Sequence, residues 1–439
     1  MKHIKFLDNK LIYANCDLNK FVKQYSTPLK ITFQDIIKNQ IIELKKVFDD
    51  SIKAKNYKGK FIYLNANKAN YSFETINIAT MYADGLETSS HYDLLLTAKI
   101  LKNNKNKKIV CNGVKDKPYL DTILKLNEQG FDITCIIDSK NEFDYLNKKL
   151  NEQKLKVGLR IHLTSLYAED NAKTKDDRFG LIKDDLNYII DELQKNEKFI
   201  LTTIHFHQRG FSFEEPKFWD NFMLVFSQYY VQIKKQFNSL CNLNIGGGTP
   251  ILLTEDFEYS KWINLMLDKV SAVCKKENIN EPNIVTENGK YTVKDSTVTI
   301  YKIVATKTTD GVTPWYIIDG SFFSAIAEHY EAGEEFNIQP INLLNNKMID
   351  VRLAGLTCDC DDIYYEENGT IKMPEIKTGE TLYIAILGCG SYQDSMQGRG
   401  GVHHCLMPEE MRLIRDLNGR YKILNKKQNI LDIWRILSN

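Results

Sequence analysis

No stretch of the 439-residue chain approaches the ~18 consecutive apolar residues that a membrane-spanning helix requires. Nor is there an excess of charge: 58 Lys and Arg stand against 57 Asp and Glu, a net +1. A nucleic-acid or anionic-membrane partner would require a basic surplus, so a small molecule is the expected partner. The opening MKHIKFLDNK has neither the apolar core nor the small-residue cleavage site of a secretion signal. The nine cysteines, at 16, 111, 135, 241, 274, 358, 360, 389 and 405, are odd in number and too dispersed to staple a small fold. A reducing, cytoplasmic setting is expected. There is no internal repeat and no low-complexity linker. What is present, 43% hydrophobic, 26% charged and 11% aromatic residues, is ordinary globular composition. The length predicts about two to four domains, or one large barrel with an appendage.

Through the first two thirds, short apolar or β-branched runs alternate with longer stretches of helical character, the pattern of βα units. The runs are KFIYLNA (60–66), a weak DGLETS (84–89), KIVCNG (108–113), DITCIID (132–138), LKVGLRIHL (155–163), FILTTIHFH (199–207), LCNLNIGG (240–247) and NIVTENG (283–289). Eight of them predict an α/β fold containing a (β/α)8 TIM barrel. Beyond about residue 290, segments such as YTVKDSTVTIYKIVATK and TLYIAIL predict a mainly antiparallel β-domain. The N-terminal IKFLDNKLIYANCD reads as a strand pair packing with that domain. The expected division is therefore 1–30 with the β-domain, 31–290 as barrel and 291–439 as C-terminal β-domain.

In such a barrel, catalytic side chains sit at the C-terminal ends of strands. Those positions hold Lys68, Glu87, Arg160, His162, His205, His207, Gly246 to Gly248 and Glu287. Singly, the lysine reads as a surface charge, the histidines as satisfied strand residues and the glycines as a tight turn; their shared placement is what points to a site. Three glycines leaving a strand bring backbone N–H groups close to an anion such as phosphate. A phosphate near a lysine suggests an aldehyde cofactor held at both ends, with pyridoxal 5′-phosphate the candidate.

Ten ordered motifs now meet a known family. They are KAN (68–70), GLETSS (85–90), CNGVKD (111–116), RFGL (178–181), HFH (205–207), GGG (246–248), TENGK (286–290), DG (319–320), TCDCDD (357–362) and GCGSYQDSM (388–396). With them the chain resembles the pyridoxal-phosphate-dependent, barrel-type decarboxylases of basic amino acids, the group of ornithine, diaminopimelate and biosynthetic arginine decarboxylases. The resemblance implies that Lys68 forms the Schiff base, that His207 stacks on the cofactor ring and that Glu287 pairs with its pyridine nitrogen. Related racemases place an arginine at that nitrogen, so Glu287 favours decarboxylation. The phosphate would be held by Gly246 to Gly248, Lys290 and Tyr392, with Glu87, Arg160 and Gly289 also in the cofactor site. Cys358 would be the proton donor, presented by the second subunit of a homodimer. Asp359 and Asp319 would meet the cationic end of an amino acid substrate. No metal is implied.

The aspartate after Cys358, where diaminopimelate decarboxylases usually carry glutamate, points to a cationic tail. GLETSS, CNGVKD and SYQDSM most resemble the arginine branch, although this chain is much shorter than that branch's long members. The expected activity is L-arginine to agmatine in polyamine biosynthesis. The alternatives are ornithine, lysine, carboxynorspermidine or diaminopimelate as substrate, a racemase, or a non-catalytic regulatory relative. Two departures stand out. The family's Gly-Ser after HFH is replaced by Gln208-Arg209-Gly210, and Arg209 either binds the phosphate in place of serine, reaches an acidic group on the substrate, or faces solvent. Lys290 replaces an arginine, keeping the charge and losing the bidentate fork.

Overall fold

The computed structural model describes residues 3–163, 178–208, 216–249, 258–364, 369–397 and 405–438. Two compact units divide the chain: Asn39–Tyr291, and Met1–Lys38 together with Thr292–Asn439.

The first unit is a closed parallel barrel of eight strands: β1 (Phe61–Ala66), β2 (Gly85–Thr88), β3 (Lys108–Cys111), β4 (Ile133–Ile137), β5 (Leu155–Arg160), β6 (Phe199–His205), β7 (Asn242–Asn244) and β8 (Asn283–Asn288). Each falls within one of the eight runs named above. The circle closes through Glu287 opposite Leu64, where β8 pairs with β1. Helices follow the strands, and four of them begin at Ser72, Ser90, Asp116 and Ser139, whose side chains accept from a backbone N–H of the first turn. Helix Lys117–Glu128 buries Tyr119, Leu120, Ile123 and Leu126, one apolar stripe at helical spacing.

The weak second run has a structural cause. A Cβ at Gly85 would lie 2.7 Å from both Leu64 Cδ2 and Lys108 Cβ, and the next inward position of that strand is Glu87. Strand β2 gives up apolar signal to close packing at one position and to a buried carboxyl at the other.

In the second unit, β9 (Thr297–Thr308) pairs antiparallel with β10 (Pro314–Ile318), with β11 (Tyr383–Leu387) and with the N-terminal strand Leu29–Phe33, which also runs parallel to β12 (Met411–Arg415). Strand alternation divides the core. Ala385 and Leu387 join Val298, Ile300, Ile31 and Phe33 on one side; Ile384 and Ile386 join Tyr301, Ile303, Tyr316 and Ile318 on the other. The N-terminal hairpin, Ile4–Leu7 with Lys10–Tyr13, turns at Asp8 and Asn9, both at positive φ, and adds Leu11 and Tyr13 to the first of these cores.

Residues 31–33, which the sequence assigned to the barrel, are thus strand residues of the β-unit, and the division falls inside the helix Gln34–Lys55. A strand running straight into a long helix offers no glycine or proline signal at which to place a boundary.

Candidate active site

Strand alternation builds the site. Leu64, Val110, Ile136 and Val285, with Ile62 packed against them, form a dry apolar cluster inside the barrel. Two residues further along each strand the same face presents Asn112 after Val110, Asp138 after Ile136 and Glu287 after Val285. A polar layer therefore sits on an apolar floor, at the strand ends where the loops converge.

Glu287 is its centre. Its Oε1 accepts from Asn112 Nδ2 at 2.8 Å and from Asn244 Nδ2 at 2.6 Å, and lies 3.6 Å from His205 Nε2. Burial works to raise the carboxyl's pKa, but the His205 ring, the Asn112 donor and the charge of Lys68 outweigh it and hold Glu287 well below its ordinary range. Burial pushes the pKa of His205 down, against the pull of Glu287. Asn112 Nδ2 also reaches Glu87 Oε1 at 3.1 Å, tying the two carboxyl groups to one amide. Fully buried Glu87 behaves oppositely to Glu287: desolvation lifts it to about 7 despite Lys68.

Lys68 lies on the single turn Asn67–Ala69 after β1, its Nζ 3.9 Å from Glu87 Oε1. Buried Asn67 fixes that turn by donating to Thr97 Oγ1 at 2.9 Å and Asp93 Oδ1 at 3.3 Å, while its Oδ1 accepts from Asn65 Nδ2 at 2.9 Å. Across from it, a Cβ on Gly289 would come within 2.9 Å of Ala69 Cβ. Glycine at 289 lets β8 end against the lysine turn.

His207 lies just beyond β6. Its Nδ1 accepts from Gly247 N–H at 3.3 Å, which assigns the proton to Nε2, and burial followed by the charge of Lys68 lowers its pKa to about 3. A neutral ring with a fixed tautomer results. Gly246 is at φ +71°, and a Cβ there would stand 2.7 Å from His207 Nδ1; a Cβ at Gly247 would stand 2.7 Å from the Glu287 carbonyl oxygen. Gly246→Ala is accordingly expected to shift His207 and weaken cofactor binding about tenfold or more, read as the Kd for pyridoxal 5′-phosphate; unchanged affinity would refute the cradle.

Arg160 ends β5 with Nη1 3.6 Å from Asp138 Oδ1 and its guanidinium 4.5 Å from the centre of the Phe179 ring. Asp138 also accepts from Gly180 N–H at 3.0 Å, and Gly180 is at φ +90°. The RFGL motif thus folds over the arginine. His162, one bridge residue beyond Arg160, hydrogen-bonds the Phe179 carbonyl through Nδ1 at 2.6 Å. Gln208 turns to Asn221, accepting at 3.0 Å. Arg209 lies outside the described residues. Lys290 opens the short helix Lys290–Val293 directly after Gly289.

The remaining expected residues belong to the β-unit. Cys358 is exposed, its Sγ 3.4 Å from Cys405 Sγ, and the hydrogen bond between the two thiols raises its pKa. Asp359 Oδ1 accepts from the Asp361 N–H at 3.0 Å. Asp319 accepts from Thr27 Oγ1 at 2.5 Å and Lys302 N–H at 3.0 Å, so both of its oxygens are engaged within the unit; burial still lifts its pKa. Tyr392 sits at φ +60° ahead of the helix Gln393–Gln397.

That helix is anchored by a buried charge network. Lys30 Nζ meets Asp394 Oδ1 at 2.8 Å and Glu410 Oε1 at 2.9 Å, and Arg412 meets Asp394 Oδ2 at 2.5 Å and Glu410 Oε1 at 3.1 Å. Burial alone would raise the Asp394 pKa, but Lys30 and Arg412 hold it well below the carboxylate range. A depressed folded pKa gives stability that is present above the unfolded value of about 3.9 and is lost as pH falls. Asp394→Asn should cost about 2–3 kcal/mol at pH 7, less than the ~3–5 of a severed buried pair because Glu410 still faces both cations. Urea unfolding at pH 7 and pH 3 checks this, since the difference between variant and parent should shrink in acid.

The sequence pattern of the family described as pyridoxal-dependent decarboxylase, pyridoxal binding domain, matches residues 37–294. The chain belongs to the pyridoxal-dependent decarboxylases. This decarboxylase-family chain is 27% identical over 325 residues to a biosynthetic arginine decarboxylase of Prochlorococcus marinus subsp. pastoris, covering 68% of this chain and 49% of that protein. It is 25% identical over 304 residues to one of Citrifermentans bemidjiense, covering 65% of this chain and 48% of that protein. It spans about half the length of these curated relatives. Its fold is similar to the crystal structure of a biosynthetic arginine decarboxylase from Campylobacter jejuni, with TM-score 0.83 and 19% identity, covering all of this chain and 89% of that one. A diaminopimelate decarboxylase from M. jannaschii gives TM-score 0.81 at 18% identity, over 99% and 97%.

Pyridoxal 5′-phosphate is the cofactor of this decarboxylase family, and the residues of the barrel fit it. An ionised carboxylate, a neutral imidazole, a lysine and a backbone cradle that a Cβ would fill face one mouth. Among the described residues, buried Glu87 Oε2, Asn112 Oδ1 and both His205 ring nitrogens find no hydrogen-bond partner, as expected of polar atoms that serve a polar ligand. Sequence reasoning did not identify Asn67, Asn112 or Asn244. The signal was there: in NANKAN, CNGVKD and CNLNIGG an asparagine occupies a strand end, where a lumen needs donors but no charge.

Proposed function

We propose that this chain decarboxylates L-arginine to agmatine, working as a cytoplasmic homodimer in polyamine biosynthesis. The observation that carries the decarboxylase reading is Glu287, kept ionised on two amide donors at the barrel mouth beside Lys68 and His207. Arginine as substrate draws support from the curated relatives named biosynthetic arginine decarboxylase and from Asp359 beside Cys358.

When bound, the cofactor supplies an electron sink for the pair left behind as CO2 departs. The chain's residues do the rest. Lys68 Nζ would hold the cofactor at its aldehyde end, with Glu87 as the neighbouring charge partner and proton acceptor. Glu287 Oε1 holds a proton at the ring nitrogen, which keeps the sink strong. His207 would stack on the ring without adding charge, its pKa being held low. The N–H groups of Gly246 to Gly248 and Lys290 would hold the phosphate, with Arg160 and Gly289 in the same site, and Tyr392 is proposed as a further phosphate ligand. Cys358 Sγ, supplied by the second subunit, holds the proton delivered to the α-carbon. Asp359 and Asp319 offer carboxylates to the guanidinium.

Among described residues, no helix is long and apolar enough to cross a membrane, which suits a small-molecule enzyme. The test is CO2 release by the cofactor-loaded protein from L-arginine, L-ornithine, L-lysine, diaminopimelate and carboxynorspermidine. Arginine should be preferred, and Cys358→Ala should lower the rate on the order of 100-fold, the usual share of a general acid. Silence on every substrate despite bound cofactor would favour the non-catalytic relative. Preference for diaminopimelate would overturn the role of Asp359.

A further inference from the structure

Two thiols of the β-unit lie within contact of each other although their residues are 47 apart in sequence. Cys358 Sγ and Cys405 Sγ are 3.4 Å apart, and the Cys358 backbone N–H donates to Cys405 Sγ at 3.3 Å. An S–S bond is about 2.05 Å, so modest side-chain movement joins them. Cys358 is exposed and Cys405 partly so; four of the other cysteines, Cys111, Cys135, Cys274 and Cys389, are buried. Neighbouring Cys360 is exposed but directs its Sγ to Asp361 Oδ1, 3.8 Å away.

We propose that Cys358 and Cys405 form a reversible oxidation site, closed to a disulfide by peroxide and reopened by thiols, that shuts off catalysis by withdrawing the Cys358 proton. The loss of activity rests on the role proposed above for Cys358; formation of the bond does not. The Cys358 thiolate attacks one peroxide oxygen, the O–O bond breaks, and hydroxide leaves to become water, giving a sulfenic acid. Cys405 then attacks that sulfur as its thiolate, expelling hydroxide, which takes up a proton as a second water. Two thiols lose two electrons and two protons, and one peroxide is reduced to two waters. With a resolving thiol already at 3.4 Å, the sulfenic acid is trapped before it can be oxidised irreversibly.

The experiment treats the full, cofactor-loaded protein with hydrogen peroxide, then maps unreduced peptides by mass spectrometry and follows CO2 release before and after dithiothreitol. A Cys358–Cys405 linked peptide is expected, with activity reduced on the order of 100-fold and restored by the reductant. Cys405→Ser should instead accumulate sulfinic acid at Cys358 and lose activity that dithiothreitol does not restore. Peroxide that leaves both thiols unlinked, links Cys358 to Cys360, or forms the expected bond without slowing an active enzyme overturns the proposal. A reduced protein that releases no CO2 yet forms the bond would remove the arginine reading and leave the oxidation site standing.

Discussion

Lys68→Ala is expected to abolish the absorbance near ~420 nm that a lysine-bound pyridoxal cofactor gives, and with it all measurable CO2 release. The effect is expected to be total because this amine is the proposed tether. Lys68 is fixed by a turn whose buried Asn67 makes three side-chain hydrogen bonds, and Glu87 lies 3.9 Å from its Nζ. The substitution should leave folding intact, because Lys68 is half exposed and the turn is held by its neighbour. A melting temperature close to the parent's, with the absorbance gone, is the expected pair of results. Persistence of the absorbance would move the tether to another lysine.

Glu287→Gln should lower kcat on the order of 100- to 1000-fold while the cofactor still binds, the range seen when a preorganised electrostatic partner is removed. Glutamine keeps the shape and an oxygen for Asn112 and Asn244 to donate to, so what is lost is the charge proposed to keep a proton on the ring nitrogen. KM should change little. Stability should hold or rise, since a buried charge near three other polar groups is replaced by a neutral amide. A merely structural role for Glu287 would give the reverse: a lower melting temperature and a preserved kcat. Asn112→Asp offers a cross-check. A third carboxyl group, between Glu87 and Glu287, would repel both, raise their pKa values and lower activity at neutral pH.

The barrel was legible because periodicity survives distant relationship. Seven of its strands carry plain apolar runs, and the weak one, Gly85–Thr88, is weak because packing demands glycine at 85 and the site demands a carboxyl at 87. The division near residue 31 was not legible, since Ile31 and Phe33 are buried in a sheet whose partners, Thr297–Thr308 and Met411–Arg415, lie hundreds of residues away. Asn112 and Asn244 were missed for a similar reason. An asparagine in a loop motif reads as a turn former, and its service to a carboxylate 175 or 43 residues distant has no local trace.

The sequence by itself determined the repeating βα order, the β-rich C-terminal texture and the set of chemically able residues at strand ends, because side-chain alternation and strand-end placement are local consequences of backbone geometry. Only the tertiary structure decided which protonation state each of those residues holds. Glu87 and Glu287 are both buried glutamates at strand ends, yet one is lifted to about 7 and the other held ionised. The difference lies in which donors the closed barrel brings within hydrogen-bonding distance, and distance in space is what sets an electrostatic environment.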